Sequence, residues 1–135
     1  MLRYATSSFV WVSCAPALFF YGILVIAEFE GIARGAPVNP DSLIHVSIVS
    51  GTLGWMALLV MNVFWLMNRQ LGWTIPTFGS LFALIGWLPF VLTFSFFAVL
   101  PLPGIVFASY LVRWHVTSQN AAYGYLKTPS HTSSK

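Results

Sequence analysis

Three long apolar stretches dominate the chain, and polar or turn-forming residues bound each of them. The first runs from Phe9 to Ala27, the second covers 43–67 and the third runs from Phe78 to Leu100. Each is close to or above the roughly 20 residues that an α-helix needs to cross a hydrocarbon core of about 30 Å. We therefore predict membrane-spanning helices at about 9–27, 43–67 and 78–100, within one transmembrane domain that covers residues 1–135. Pro101-Leu102-Pro103-Gly104 should stop the third of these helices.

A fourth, shorter apolar run leaves the number of spans open. Ile105 to Val112 supplies eight largely apolar residues before Arg113, too few to cross a bilayer alone. Length therefore favours an all-α integral membrane protein with three transmembrane helices plus an interfacial helix at about 104–116, followed by a polar tail at 117–135.

Charge favours the alternative of four transmembrane helices, because basic residues prefer the cytoplasmic side of a membrane. Three spans divide the six bases four against two, whereas four spans place five on one side, opposite Arg34 and all three acids. The five are Arg3, Arg69, Arg113, Lys127 and Lys135. We prefer the three-span prediction because bilayer thickness is the harder constraint.

The first apolar stretch also has features of a removable signal. Arg3 precedes it, and Cys14 inside it could end a lipoprotein signal. Trp11, three residues before Cys14, is too bulky for a lipobox. We therefore predict a retained first helix that Pro16 bends and in which Cys14 is buried in apolar surroundings.

All three acids lie in the loop after the first stretch. Glu28 and Glu30 close the predicted first helix, and Asp41 or Ser42 is a suitable N-cap for the second. Charged residues at such a place usually mark the water boundary. Alternatively, Glu28 carries a proton or a cation, because it lies next to the bilayer.

Small and polar residues are concentrated in the second stretch. Ser47 and Gly51 are four residues apart, as are Ser50 and Gly54, so each pair lies on one helix face where another backbone can approach closely. We predict a helix-packing interface at these four residues, and within a complex a partner's helix would fill it. Asn62 should bond to a neighbouring helix or to a backbone carbonyl.

The composition excludes several classes of function. The chain is 58% hydrophobic and 7% charged, against about 25% charged residues in a soluble domain. Its net charge of +3 comes from scattered bases, so it lacks the basic patch of a nucleic-acid-binding protein. The single cysteine excludes a disulfide framework. Without a recognisable catalytic motif, we predict that the chain alone is not an enzyme.

Two histidines are the candidate cofactor ligands. Haem b takes axial histidines, and in the three-span topology His45 and His115 would lie near the same membrane face, whereas four spans would separate them. The alternative role for both is bonding to backbone or to lipid headgroups. The sequence also leaves bound lipid or quinone open, because these ligands need apolar grooves rather than signature residues.

A longer pattern surrounds the first of these histidines. An apolar span and a polar loop precede Leu43-Ile44-His45, Gly54 follows nine residues later, and Asn68-Arg69 lies at a helix end. This arrangement resembles the first two helices of subunit I of the haem-copper oxidases. The resemblance implies that His45 is an axial ligand of a low-spin haem. The chain is shorter than that family's twelve-helix core and has no histidine-rich copper-site helix.

The polar tail at 117–135 bears on function, because a segment of this composition would be disordered in isolation. An ordered tail would therefore indicate a larger complex. We predict a small accessory subunit of a membrane-embedded bioenergetic complex, of the respiratory or photosynthetic electron-transfer type, with other membrane subunits and lipid as partners. The expected membrane is a bacterial inner membrane or an organellar inner membrane. The alternatives are a small oligomeric transporter or channel, and a haem b electron carrier that uses His45.

Overall fold

The computed structural model describes residues 1–35, 43–92 and 96–126, without the side chains of 43–44 and 118–126. These residues form α1 (Leu2–Ala33), α2 (Leu43–Leu66), α3 (Thr74–Leu92), a short 3-10 helix (Phe96–Ala98) and α4 (Leu102–Leu126). The predicted N-cap at Asp41 or Ser42 lies outside the described residues. Of the predicted polar tail at 117–135, residues 117–126 belong to α4, and 127–135 lie outside the described residues.

The all-α membrane class is confirmed. Within the described residues, four helices are long and apolar enough to cross a bilayer, and no strand is present. This number fits the four-helix alternative and differs from the preferred prediction of three spans plus an interfacial helix at about 104–116. The fourth helix continues through Arg113 because His115 beyond it is completely buried and hydrogen-bonded to other parts of the bundle.

The third and fourth helices divide the last apolar region differently from the prediction. α3 begins at Thr74, before the predicted start, and ends at Leu92 rather than at Leu100. Pro103 and Gly104, which we expected to stop a helix, lie in the first turn of α4. Proline is tolerated there because its missing N–H would have no partner within the helix. Pro101 therefore precedes α4, and Pro103 lies in its first turn, so the two prolines mark the start of a helix.

The first helix extends beyond its predicted end. Glu28 and Glu30 do not close it, since α1 continues to Ala33 and stops before Gly35, whose φ is 76°. Glycine adopts this left-handed conformation without the steric cost of a Cβ atom. After α2, Asn68 adopts a similar conformation with φ 54°, which asparagine tolerates better than most residues.

α2 and α3 are antiparallel neighbours in backbone contact. A Cβ atom built on Gly54 would lie 2.8 Å from Cα of Ala83, and one on Gly86 would lie 2.6 Å from the backbone nitrogen of Gly51. The Ser47 hydroxyl donates to the Gly86 carbonyl at 2.6 Å. The predicted packing face is therefore used, but α3 of the same chain occupies it where we expected a partner's helix.

Polar side chains join α1 to α2. Ser7 and Asn62 are both buried and exchange two hydrogen bonds, of 3.1 and 2.9 Å. The Arg3 guanidinium donates to the Trp65 carbonyl at 3.1 Å and to Oδ1 of Asn68 at 2.8 Å. Hydrogen bonds between helices satisfy polar groups that would otherwise face hydrocarbon. The predicted bond from Asn62 to a neighbouring helix is confirmed.

Charged side chains separate to the two ends of the bundle. One end, which we call the basic end, holds Arg3, Arg69 and Arg113, and Trp114 lies 5.7 Å from the Arg3 guanidinium there. The opposite end, which we call the acidic end, holds Glu28, Glu30 and Arg34; the last two form an exposed ion pair of 3.0 Å.

The fourth helix begins near the middle of the bundle. A Cβ atom built on Gly104, in the first turn of α4, would lie 2.9 Å from the Trp55 ring and 3.4 Å from Sγ of Cys14. Both of these residues lie near the centres of their helices. Cys14 is fully buried, as predicted. From this depth α4 runs toward the basic end, where Met61 and Leu111 belong to the apolar core.

We predict that Gly54→Leu destabilises the protein by roughly 1–3 kcal/mol or more, because the added atoms must displace the Ala83 backbone. The matched control is Gly22→Leu in α1, since nothing lies within 4 Å of a Cβ atom at Gly22. The control should be as stable as wild type or more stable by up to about 1 kcal/mol, because leucine has a higher helix propensity than glycine. Thermal unfolding in mild detergent measures both, and equal melting temperatures for the two variants would contradict the α2–α3 contact.

The four-helix arrangement also predicts which residues share a membrane side. We expect Tyr4→Cys and Thr117→Cys, each in a Cys14→Ala background, to react with an impermeant thiol reagent from the same side, and Arg34→Cys from the other. The basic end should face the cytoplasm because arginine is retained there. Labelling of Thr117→Cys and Tyr4→Cys from opposite sides of oriented vesicles would restore the three-span topology.

Candidate functional site

An apolar pocket opens between the helices in the half of the bundle near the acidic end. Its empty volume is about 700 Å³, which includes open space at its mouth. Residues of all four helices and of the 3-10 helix line it, and no charged side chain is among the described lining residues. We call this space the interhelical pocket.

The floor of the interhelical pocket is the α2–α3 contact itself. The small residues that let the two backbones meet also leave a surface without protruding side chains. The predicted packing face therefore both packs against α3 and lines the pocket. Only its two glycines reach the pocket, whereas Ser47 and Ser50 are buried outside it. The floor residues are Gly51, Gly54, Ala83 and Gly86.

Aromatic rings form another part of the wall. Phe97 of the 3-10 helix stacks on Phe20 of α1 with 4.1 Å between centroids and 6° between planes, and Phe90 of α3 meets Phe20 edge-on at 6.4 Å. The Trp87 indole donates to the Ala98 carbonyl at 2.8 Å. These contacts hold the 3-10 helix between α1 and α3.

The 3-10 helix lies at membrane depth. Phe20, on which Phe97 stacks, precedes Glu28 by two turns, or about 12 Å of α-helix. Backbone polar groups at membrane depth need hydrogen-bond partners within the protein. Here the Trp87 indole donates to the Ala98 carbonyl, and the N–H groups of Val99 and Leu100 donate to the carbonyls of Phe96 and Phe97.

Tyr21 covers one side of the floor. Its ring would lie 2.9 Å from a Cβ atom on Gly51, its hydroxyl donates to the Ile48 carbonyl, and its oxygen lies 2.9 Å from Oγ1 of Thr52. The phenol is thus bonded to α2. Together with the bonded indole of Trp87, this leaves two of the pocket's polar side chains committed to the fold.

His45 lies at the acidic end, beside the first predicted boundary residue. Its Nε2 is 2.8 Å from Oε1 of Glu28, an ion-pair distance that applies when the imidazole is protonated. The ring N–H is not aligned for a hydrogen bond, and Nδ1 has no partner among the described residues. Whether Glu28 carries a proton or a cation stays a prediction.

His115 has a structural position at the basic end. The Leu71 backbone N–H donates to Nδ1 at 3.2 Å, and Nε2 lies 3.1 Å from the Met61 carbonyl. Because Nδ1 accepts, the proton belongs on Nε2, which can then donate to Met61. Both ring nitrogens are therefore engaged, and the side chain is 0% exposed.

The two histidines do not come together. His115 bonds to Met61, which lies sixteen residues along α2 from His45, or about 24 Å at ~1.5 Å per residue. The prediction that both residues bracket one haem near one membrane face is therefore wrong for a single chain, because α4 crosses to the basic end. Haem ligation by His45 alone stays a prediction. Among the described residues, no group of three or more His, Cys, Asp or Glu side chains could hold a metal ion.

The aromatic and glycine residues that shape the pocket were not predicted from the sequence. Trp87 lies inside an apolar helix rather than at an interface, and a tryptophan at such a depth needs a partner for its N–H. The position of Trp87 was therefore a sequence signal for a polar contact inside the bundle. Gly104 gave no such signal, because glycine after two prolines is also typical of a helix end.

Comparison with known proteins found no relative: no family model, no curated protein and no solved structure matches this chain. The resemblance to subunit I of the haem-copper oxidases thus stays a prediction.

We predict that His115→Phe destabilises the protein by about 1–3 kcal/mol, because it removes two buried hydrogen bonds that connect α4 to α2 and to the α2–α3 loop. Ser109→Ala is the matched control on α4, since the Ser109 hydroxyl is exposed and bonds only to the Ile105 carbonyl of its own helix. Thermal unfolding in detergent should separate the two variants. A His115→Phe protein as stable as the control would contradict a structural role for this histidine.

Proposed function

We propose that this integral membrane protein is a small accessory subunit of a larger membrane-embedded complex, and that it acts by docking rather than by catalysis. The observation that carries the proposal is the length of α4. His115 contacts Met61 and Leu71 at the basic end, yet α4 continues to Leu126. Eleven further residues extend a helix by about 16 Å. α4 therefore projects past the α2–α3 loop, in which Leu71 lies.

A helix in this place gains from a partner. Its first residues follow directly from a buried segment, so helix nucleation costs nothing extra. However, Thr117, Asn120 and Gly124 have lower helix propensity than alanine, and most helical stability in proteins comes from tertiary packing. A neighbouring subunit that packs against residues 117–126 would supply it.

The class of complex follows from the sequence analysis. We infer a bioenergetic assembly of the respiratory or photosynthetic electron-transfer type, in a bacterial inner or organellar inner membrane, with other membrane subunits and lipid as partners. An oligomeric transporter or channel would usually place an ionisable residue at mid-membrane. In the described part of the chain, the membrane-depth pocket is instead lined without charge.

The proposal predicts that a helix break in the extension releases the partner. Ala122→Pro should abolish co-purification of other subunits in mild detergent, because proline removes a hydrogen bond and kinks a helix at a cost of about 3 kcal/mol. Ala122→Ser, which keeps the helix, is the matched control and should co-purify with partners as wild type does. Native gels with an absorption spectrum of each band would identify a coloured electron-transfer complex.

Membrane insertion and thermal stability of the isolated subunit should be the same for both variants, since residue 122 lies beyond the bundle. A tagged wild-type chain that migrates as a small colourless oligomer would contradict the accessory role. Unchanged co-purification of Ala122→Pro would show that the α4 extension is not the docking element.

A further inference from the structure

We propose that the interhelical pocket is a lipid site that holds one unbranched acyl chain of a membrane phospholipid. Nothing in the docking role requires such a site, so the inference depends on the pocket alone. Three properties carry it: the place of the pocket in the bundle, the chemistry of its walls and the shape of its floor.

The pocket lies beside the start of α4, between that start and the parts of α1, α2 and α3 that lead to the acidic end. α4 begins at mid-depth, where Gly104 faces Trp55 and Cys14. Toward the acidic end, α1, α2 and α3 continue without it, and the short 3-10 helix is the only other described element beside them. An empty apolar space forfeits the dispersion contacts of its lining atoms. The hydrocarbon chains of the surrounding bilayer are the nearest groups that can restore these contacts.

The walls select hydrocarbon over a polar headgroup. No charged side chain is found among the described lining residues. The Tyr21 hydroxyl and the Trp87 indole N–H already donate to the carbonyls of Ile48 and Ala98, so neither of these donors is free to bind a polar headgroup. Apolar cavities of this kind stay dry and take up apolar ligands.

The floor favours an unbranched chain. Gly54 and Gly86 present no side chain, Ala83 presents a single methyl group, and Gly51 lies beside the Tyr21 ring. Methylene groups can lie in continuous contact with such a surface, whereas the methyl branches of an isoprenoid would hold parts of its chain away from it. Phe97, at the mouth of the pocket, is 42% exposed. Its stacking on Phe20 determines how much of the acyl chain is enclosed.

The test is native mass spectrometry of the full-length protein, extracted from its membrane in mild detergent and washed extensively. We expect wild-type protein to carry one phospholipid. Ala17→Leu places three more carbon atoms in the pocket from α1, where Ala17 is buried and lines it. Retained phospholipid per protein should then fall by about tenfold, the change that a ~1.4 kcal/mol penalty produces.

Ala15→Leu is the matched control, the same substitution two residues away on the exposed face of α1, and it should retain phospholipid as wild type does. If Ala17→Leu fails to fold, Ala108→Leu fills the pocket from α4 instead. Added phospholipid should also raise the melting temperature of delipidated wild type and not that of a filled variant, because only a ligand of the native state stabilises it. Wild-type protein without an adduct, an isoprenoid quinone as the adduct, or equal retention in wild type and in the filled variants would each overturn the proposal.

Discussion

The backbone contact between α2 and α3 is the constraint on which the rest of the molecule depends. Because Gly54 meets Ala83 and Gly86 meets Gly51, these two helices form a thin, flat pair rather than a pair separated by side chains. Helix association in lipid has little hydrophobic driving force and depends on such close packing and on interhelical hydrogen bonds. The Ser47 bond to the Gly86 carbonyl adds one of these. The outer helices then attach to this pair through larger side chains and polar bonds.

The two halves of the bundle are filled in different ways. Near the basic end, α4 packs against α2, and Met61, Trp65 and Leu111 are almost completely buried. Near the acidic end α4 is missing, so the flat α2–α3 pair faces the interhelical pocket, with rings such as Phe97 as its remaining cover. Because α4 begins only at mid-depth, a pocket lies beside the α2–α3 pair on the acidic side, and the small residues needed for α2–α3 packing form its floor.

Local patterns in the sequence predict the helices, the small-residue packing face and the interhelical bond of Asn62, because each depends on spacing within one helix. They do not predict which helix fills that face, since an intramolecular neighbour and a partner's helix demand the same small residues. The start of α4 was misjudged for a similar reason: Pro103 and Gly104 can end a helix, but proline is also favoured in a first turn. The pocket could not be predicted from the sequence, because its lining residues are distributed along the chain from Ala17 to Ala108. Only the tertiary arrangement brings them together.

The position of the α4 extension follows from this division of the bundle. A projecting helix can present a docking surface in a fixed direction only if its base is rigid. The base here is His115, which is completely buried and joined to both Met61 and Leu71, and the core of large side chains lies directly beside it. Close-packed cores transmit position because they deform little. The half that contains the pocket would be a poor base, since part of its wall is a short 3-10 helix. The dense half of the protein therefore carries the docking element, and the open half remains available to lipid.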